Sequence, residues 1–100
     1  MEKQPSPRGE ILLYENGGER EFVSVIFQDE TFWLTQNGMA ELFECTPENV
    51  LQHLKNIYAE EELTPEATTK KFLVVRQEGS RQVRRTLEHY NLDAIIAVGY

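Results

Sequence analysis

Cysteine is nearly absent from this sequence. The one thiol, Cys45, excludes an internal disulfide and a cysteine-rich metal site. Long apolar runs are absent too. The longest aliphatic stretch near the end, Ala94 to Val98, is far too short to span a bilayer, and Met1-Glu2-Lys3-Gln4 leads into no signal-peptide core. No glycine-rich phosphate cradle is present, because Gly17-Gly18 is followed by neither a helix nor a P-loop lysine. The two histidines, His53 and His89, are far apart in sequence and lack the ligand spacing of a zinc motif. These absences point to a cytoplasmic chain, not an enzyme, with no cofactor, no metal and no membrane partner.

Positive charge is also scarce: 10 Lys/Arg stand against 17 Asp/Glu, for a net charge of −7. Its distribution is uneven. Residues 1–62 carry 4 basic and 13 acidic side chains, whereas residues 63–100 carry 6 and 4. All six of those basic residues lie between Lys70 and Arg85, where Glu78 is the only acid. Local positive charge is what phosphate contacts need.

The 100 residues suit one domain with one core. Residues 1–9 (MEKQPSPRG) read as a disordered leader, and residues 10–100 as the domain. Glu10 to Tyr14 and Phe22 to Phe27 are strand candidates joined across Asn16-Gly17, and Thr31 to Leu34 is a third. Together they predict a small antiparallel meander beneath the helices. Trp33 and the phenylalanines at 22, 27, 32, 43 and 72 are expected to pack in the core.

The stretch Trp33 to Tyr58 predicts two helices separated by a tight turn. Thr35 is a candidate N-cap for a helix from Gln36 to Phe43, whose buried face is Met39, Ala40, Leu42 and Phe43. After Glu44-Cys45, Thr46 caps a second helix with Pro47 at its first position and Glu48 in its first turn. Val50, Leu54, Ile57 and Tyr58, with Leu51 adjoining, form its core face. Asn49, Gln52, His53 and Asn56 share the opposite face. Asn and Gln can pair with adenine in the major groove, and His can donate to guanine or phosphate. An ordinary polar surface would carry more Glu and Lys.

Leu63 to Ala67 repeats the Thr-Pro-Glu start signal and predicts a short third helix. Lys71 to Gln77 and Arg81 to Leu87 predict a β-hairpin turning at Glu78-Gly79-Ser80. Beside a helix-turn-helix such a hairpin is a wing. Arg84 and Arg85 are neighbours, so a strand sends them to opposite faces. Asn91 caps a final apolar helix, and Gly99-Tyr100 ends the chain so soon after it that a longer parent protein is expected.

The fold class expected is therefore α+β, a winged helix-turn-helix with an N-terminal meander. Double-stranded DNA is the expected partner, with base contacts from Asn49, Gln52, His53 and Asn56. Backbone contacts are expected from Thr46, Lys55, Lys70, Lys71, Arg76, Arg81, Arg84 and Arg85. A homodimer would raise the affinity. The alternative is a protein–protein adaptor on the same fold, motivated by the acidic first 62 residues.

Trp33 to Leu63, Phe72 to Tyr100 and Glu10 to Phe27 resemble the N-terminal region of the RhuM-type bacterial virulence-associated proteins. Trp33–Phe43 and Tyr90–Tyr100 are the most specific parts. The resemblance implies a winged-helix-like DNA-binding head of a longer protein. Many members have glycine at the position of Glu44 and a basic residue at that of Pro47, and this chain departs from both.

Overall fold

The computed structural model describes residues 8–16 and 19–100. The order is β1 (Arg8–Asn16), β2 (Glu19–Gln28), β3 (Thr31–Thr35), α1 (Gln36–Leu42), α2 (Pro47–Ala59), α3 (Pro65–Thr68), β4 (Thr69–Glu78), β5 (Arg81–Asn91) and α4 (Leu92–Gly99). Of the expected leader, residues 1–7 lie outside the described residues, and Arg8 and Gly9 already belong to β1. The expected Gly17-Gly18 turn lies outside them as well.

The strands make one antiparallel sheet in the order β1-β2-β3-β5-β4. The expected meander is β1-β2-β3 and the expected hairpin β4-β5, and the sheet runs on from one to the other. Trp33, Leu34 and Thr35 pair with Asn91, Tyr90 and His89, so the short β3 joins the two hairpins. Glu88, His89 and Tyr90, expected to lead into the last helix, therefore complete β5.

Side-chain alternation along the strands gives the sheet two faces. One face carries Val23, Val25, Leu34 and Tyr90, buried with Met39, Ala40, Val50, Leu54, Ile57, Ala94, Ile95 and Val98 of α1, α2 and α4. The other carries a smaller cluster of Ile26, Trp33 and Phe72. There Trp33 Nε1 donates to Gln28 O at 2.9 Å, and the Trp33 and Phe72 rings meet edge-on at 5.6 Å. Among the described residues no helix is long and apolar enough to cross a membrane.

The aromatic expectation needs correction. Trp33 and Phe72 are buried and Phe43 is half-buried, but Phe22, Phe27 and Phe32 are 43%, 47% and 43% exposed. A strand residue is buried only where a helix or neighbouring side chain covers it. Phe27 and Phe32 instead pack on one another, 5.1 Å between centroids.

Caps and turns follow the local sequence. Thr35, Thr46 and Asn91 each accept from the amide three residues on, at 3.0, 3.1 and 3.2 Å. A Cβ at Gly38 would meet Thr35 Oγ1 at 3.3 Å and Leu34 Cδ2 at 3.4 Å, so its absence lets α1 lie close to the sheet. Gly79 has φ +64°, as the first central residue of a two-residue hairpin loop requires.

Less favourable is Glu44, which adopts φ 54° just after α1. Its own N–H donates to Glu41 O and that of Cys45 to Ala40 O, the bonds of a left-handed helix end that glycine normally fills. A left-handed non-glycine residue costs roughly 1–2 kcal/mol, and glycine gives part of that back as entropy of the unfolded chain. Glu44→Gly is therefore expected to raise the unfolding free energy by about 0.5–1 kcal/mol in urea titration.

Candidate nucleic-acid interface

The second helix is placed from both ends. Gln36 Nε2 donates to Pro47 O, 2.6 Å away, which ties the start of α1 to the start of α2. At the far end the Tyr58 and Thr68 hydroxyls are 2.9 Å apart, and Thr68 Oγ1 donates to Thr64 O. This joins α2 to the short α3 that leads into β4. Neither tie is visible in sequence, because each depends on a chain reversal.

Between these ties, Val50, Leu54 and Ile57 are buried, Tyr58 is half-buried, and Leu51 is 37% exposed. The opposite side brings Asn49, Gln52, His53 and Asn56 together in solvent, with Lys55 to one side. Gln52 Nε2 donates to Asn56 Oδ1 at 3.2 Å, an i,i+4 pair legible from spacing alone. The Thr46 hydroxyl accepts from Asn49 N and retains its own hydrogen for donation.

Acids stand at both ends of this stripe. Glu41, Glu44 and Glu48 are exposed near the start of α2, and Glu60, Glu61 and Glu62 at its end. Lys55 is the only base on the helix.

The basic residues of the hairpin divide between the two faces of the sheet. Lys71 pairs with Glu88 and Val75 with Arg84, in the alternation that also holds Tyr90 against Thr69. Tyr90 belongs to the helix-side core, so Lys71 and Arg84 share the face on which α2 lies. Lys70, Arg81 and Arg85 alternate with them and belong to the opposite face, as does the strand position of Arg76. The expected backbone contacts are thus not one surface.

Two of the opposite-face cations also have internal counter-charges. Lys70 Nζ is 2.9 Å from Asp29 Oδ2 and 5.5 Å from the Phe72 ring centroid. Arg85 donates to both carboxylate oxygens of Glu78 at 2.9 and 3.1 Å, which raises its guanidinium above its ordinary value. Asp29 gave no sequence signal, being 41 residues away. Among the described residues, Lys55, Lys71, Arg81 and Arg84 form no ion pair.

Glu88 also acts on two phenols at the junction of hairpin and helix. Burial first, then the Glu88 charge, raise the Tyr90 phenol above its ordinary 10.0. Tyr58 is raised by burial and Glu88 against the lowering effect of its bond to Thr68. A raised phenol contributes stability that is present below pH 10 and lost as pH rises through the folded-state value. Ultraviolet titration should find two tyrosines ionising later in the native chain than in denaturant.

A hollow of about 240 Å³ lies between the start of α1 and β5, lined by Thr35, Gln36, Asn37, Leu87, Glu88 and Tyr90. It holds a carboxylate and a phenol but neither Cys45 nor a histidine. Cys45 is half-buried in the α1–α2 turn against the core.

Residues 67–100 match the family model described as Virulence protein RhuM family. That segment covers β4, β5 and α4, including Tyr90–Tyr100, and leaves Trp33–Phe43 outside it. No curated protein and no solved structure matches the chain.

Proposed function

We propose that this chain, a RhuM-type protein by that match, is a double-stranded DNA-binding module of winged helix-turn-helix type. The observation that carries the reading is the exposed uncharged stripe of Asn49, Gln52, His53 and Asn56 on a helix held at both ends. In this reading α2 enters the major groove and its amides read base edges. The β4–β5 hairpin is the wing, and Lys71 and Arg84 reach phosphates on the same side. Thr46 and Lys55 add backbone contacts at the helix itself. So few cations hold DNA weakly, and a second copy or further chain supplies the remaining affinity. The reading carries a cytoplasmic location and a binding rather than catalytic role.

The acids at both ends of α2 favour a second reading, a protein adaptor whose partner presents positive charge to Glu44, Glu48 and Glu60 to Glu62. Fluorescence polarisation on a mixed pool of duplexes separates the two. The DNA reading expects binding at low salt, with a log–log salt slope of about −0.9 per phosphate contact. No binding at the lowest salt leaves the adaptor.

A further inference from the structure

Four half-exposed apolar side chains lie together at the end of the sheet away from the hairpin tip. Phe27 and Phe32 face each other across β2 and β3, and both alternate onto the helix side with Val25 and Leu34. The pairing of Trp33 with Asn91 places the next residues, Phe32 and Leu92, side by side. Leu92 N donates to Thr31 Oγ1 at 3.3 Å, which ties the start of α4 to β3. Ile96 follows one turn later, turned away from the buried Ala94, Ile95 and Val98. Leu92 and Ile96 are 39% and 47% exposed, comparable to the two phenylalanines. A single exposed apolar residue is ordinary, but a contiguous group rimmed by polar residues marks an interaction surface.

The rim of this patch is acidic. Asp29 and Glu30 form the turn between Phe27 and Phe32, and Asp93 follows Leu92, all three exposed. Asp29 is balanced by Lys70, whereas Glu30 and Asp93 form no ion pair among the described residues. That charge decides among occupants. Duplex DNA and an anionic membrane would both bring phosphate against the acids. A second copy docked through the same patch would set Glu30 and Asp93 against their own copies. We propose that Phe27, Phe32, Leu92 and Ile96 form a docking surface for a basic amphipathic helix of a partner protein. Its apolar residues at i and i+4 match Leu92 and Ile96 of α4 and cover the Phe27–Phe32 pair. Its flanking lysines or arginines meet Glu30 and Asp93. The proposal does not rest on the DNA-binding reading, because the patch uses β2, β3 and α4 and none of the stripe on α2.

The test is titration of a fluorescent amphipathic helical peptide of leucine and lysine with the 100-residue chain. Its counterpart with glutamate in place of lysine, and phosphatidylserine vesicles, are titrated in parallel. The expected result is binding of the lysine peptide alone. Phe32→Ser and Ile96→Ser leave the charge unchanged and should each weaken binding about fivefold or more. Leu51→Ser, a comparable apolar loss at an exposed site on α2, should leave it unchanged. Glu30→Gln together with Asp93→Asn should weaken binding about threefold or more and reduce its salt dependence. No binding of the lysine peptide overturns the proposal. So does binding that survives both serine variants, since overall charge alone would then hold the peptide. Vesicles or the glutamate peptide bound as tightly as the lysine peptide overturn it too. A dimer in sedimentation that Ile96→Ser disperses overturns it in favour of a second copy.

Discussion

Replacing Leu54 by alanine is expected to destabilise the fold by about 3–4 kcal/mol, within the range of buried leucine truncations. Leu54 is 2% exposed and lies in the core cluster with Val50, Ile57 and side chains of the sheet, α1 and α4. Truncation removes its transfer free energy and leaves a cavity that three helices and a sheet cannot collapse into. Domains of this size hold only about 5–15 kcal/mol in total, so the loss is a large share of it. Urea unfolding should show a lower midpoint with an unchanged slope. The control is Leu51→Ala three residues earlier. Leu51 is 37% exposed and should cost less than about 1 kcal/mol. The contrast reports the rotation of α2 about its axis. If Leu51 proved the costlier site, the helix would be turned and Asn49, Gln52, His53 and Asn56 would no longer form its outward stripe.

The second large effect concerns the two faces of the hairpin. Under the DNA-binding reading, the double variant Lys71→Glu, Arg84→Glu should lower affinity at low salt by roughly 100-fold, about tenfold for each reversed charge. The salt slope should flatten by about 2 contacts × 0.9. The matched double variant Lys70→Glu, Arg85→Glu changes the net charge by the same amount. Its effect should be far smaller, because those residues alternate onto the other face and already have Asp29 and Glu78 as neighbours. Equal losses from the two variants would mean that DNA responds to overall charge alone. The hairpin would then have no sided role, and its assignment as a wing would fail.

Much of the fold is legible in the sequence alone. Thr35, Thr46 and Asn91 are caps because a short hydroxyl or amide precedes an apolar periodic run. Pro47 starts α2 for the same local reason, and the 3.6-residue period of Val50, Leu54 and Ile57 fixed its buried side. The candidate base-reading residues follow as the complement of that side. The β4–β5 turn at Gly79-Ser80 was legible because positive φ requires a glycine there.

What the sequence determined by itself is therefore whatever depends on neighbours within a turn or two: caps, helix phase, hairpin turns, the polar stripe and the basic window from Lys70 to Arg85. Only the tertiary structure decided that the meander and the hairpin are one sheet, since pairing Trp33 with Asn91 joins strands 58 residues apart in the chain. It likewise decided that Phe22, Phe27 and Phe32 stay exposed, and that Lys70 is balanced by Asp29. Above all it sorted the basic window into Lys71 and Arg84 on the side of α2, and Lys70, Arg81 and Arg85 away from it. Alternation separates neighbours in a strand, but which of them faces α2 is fixed only when a particular sheet face is covered. That covering comes from the packing of distant helices, which no local pattern encodes.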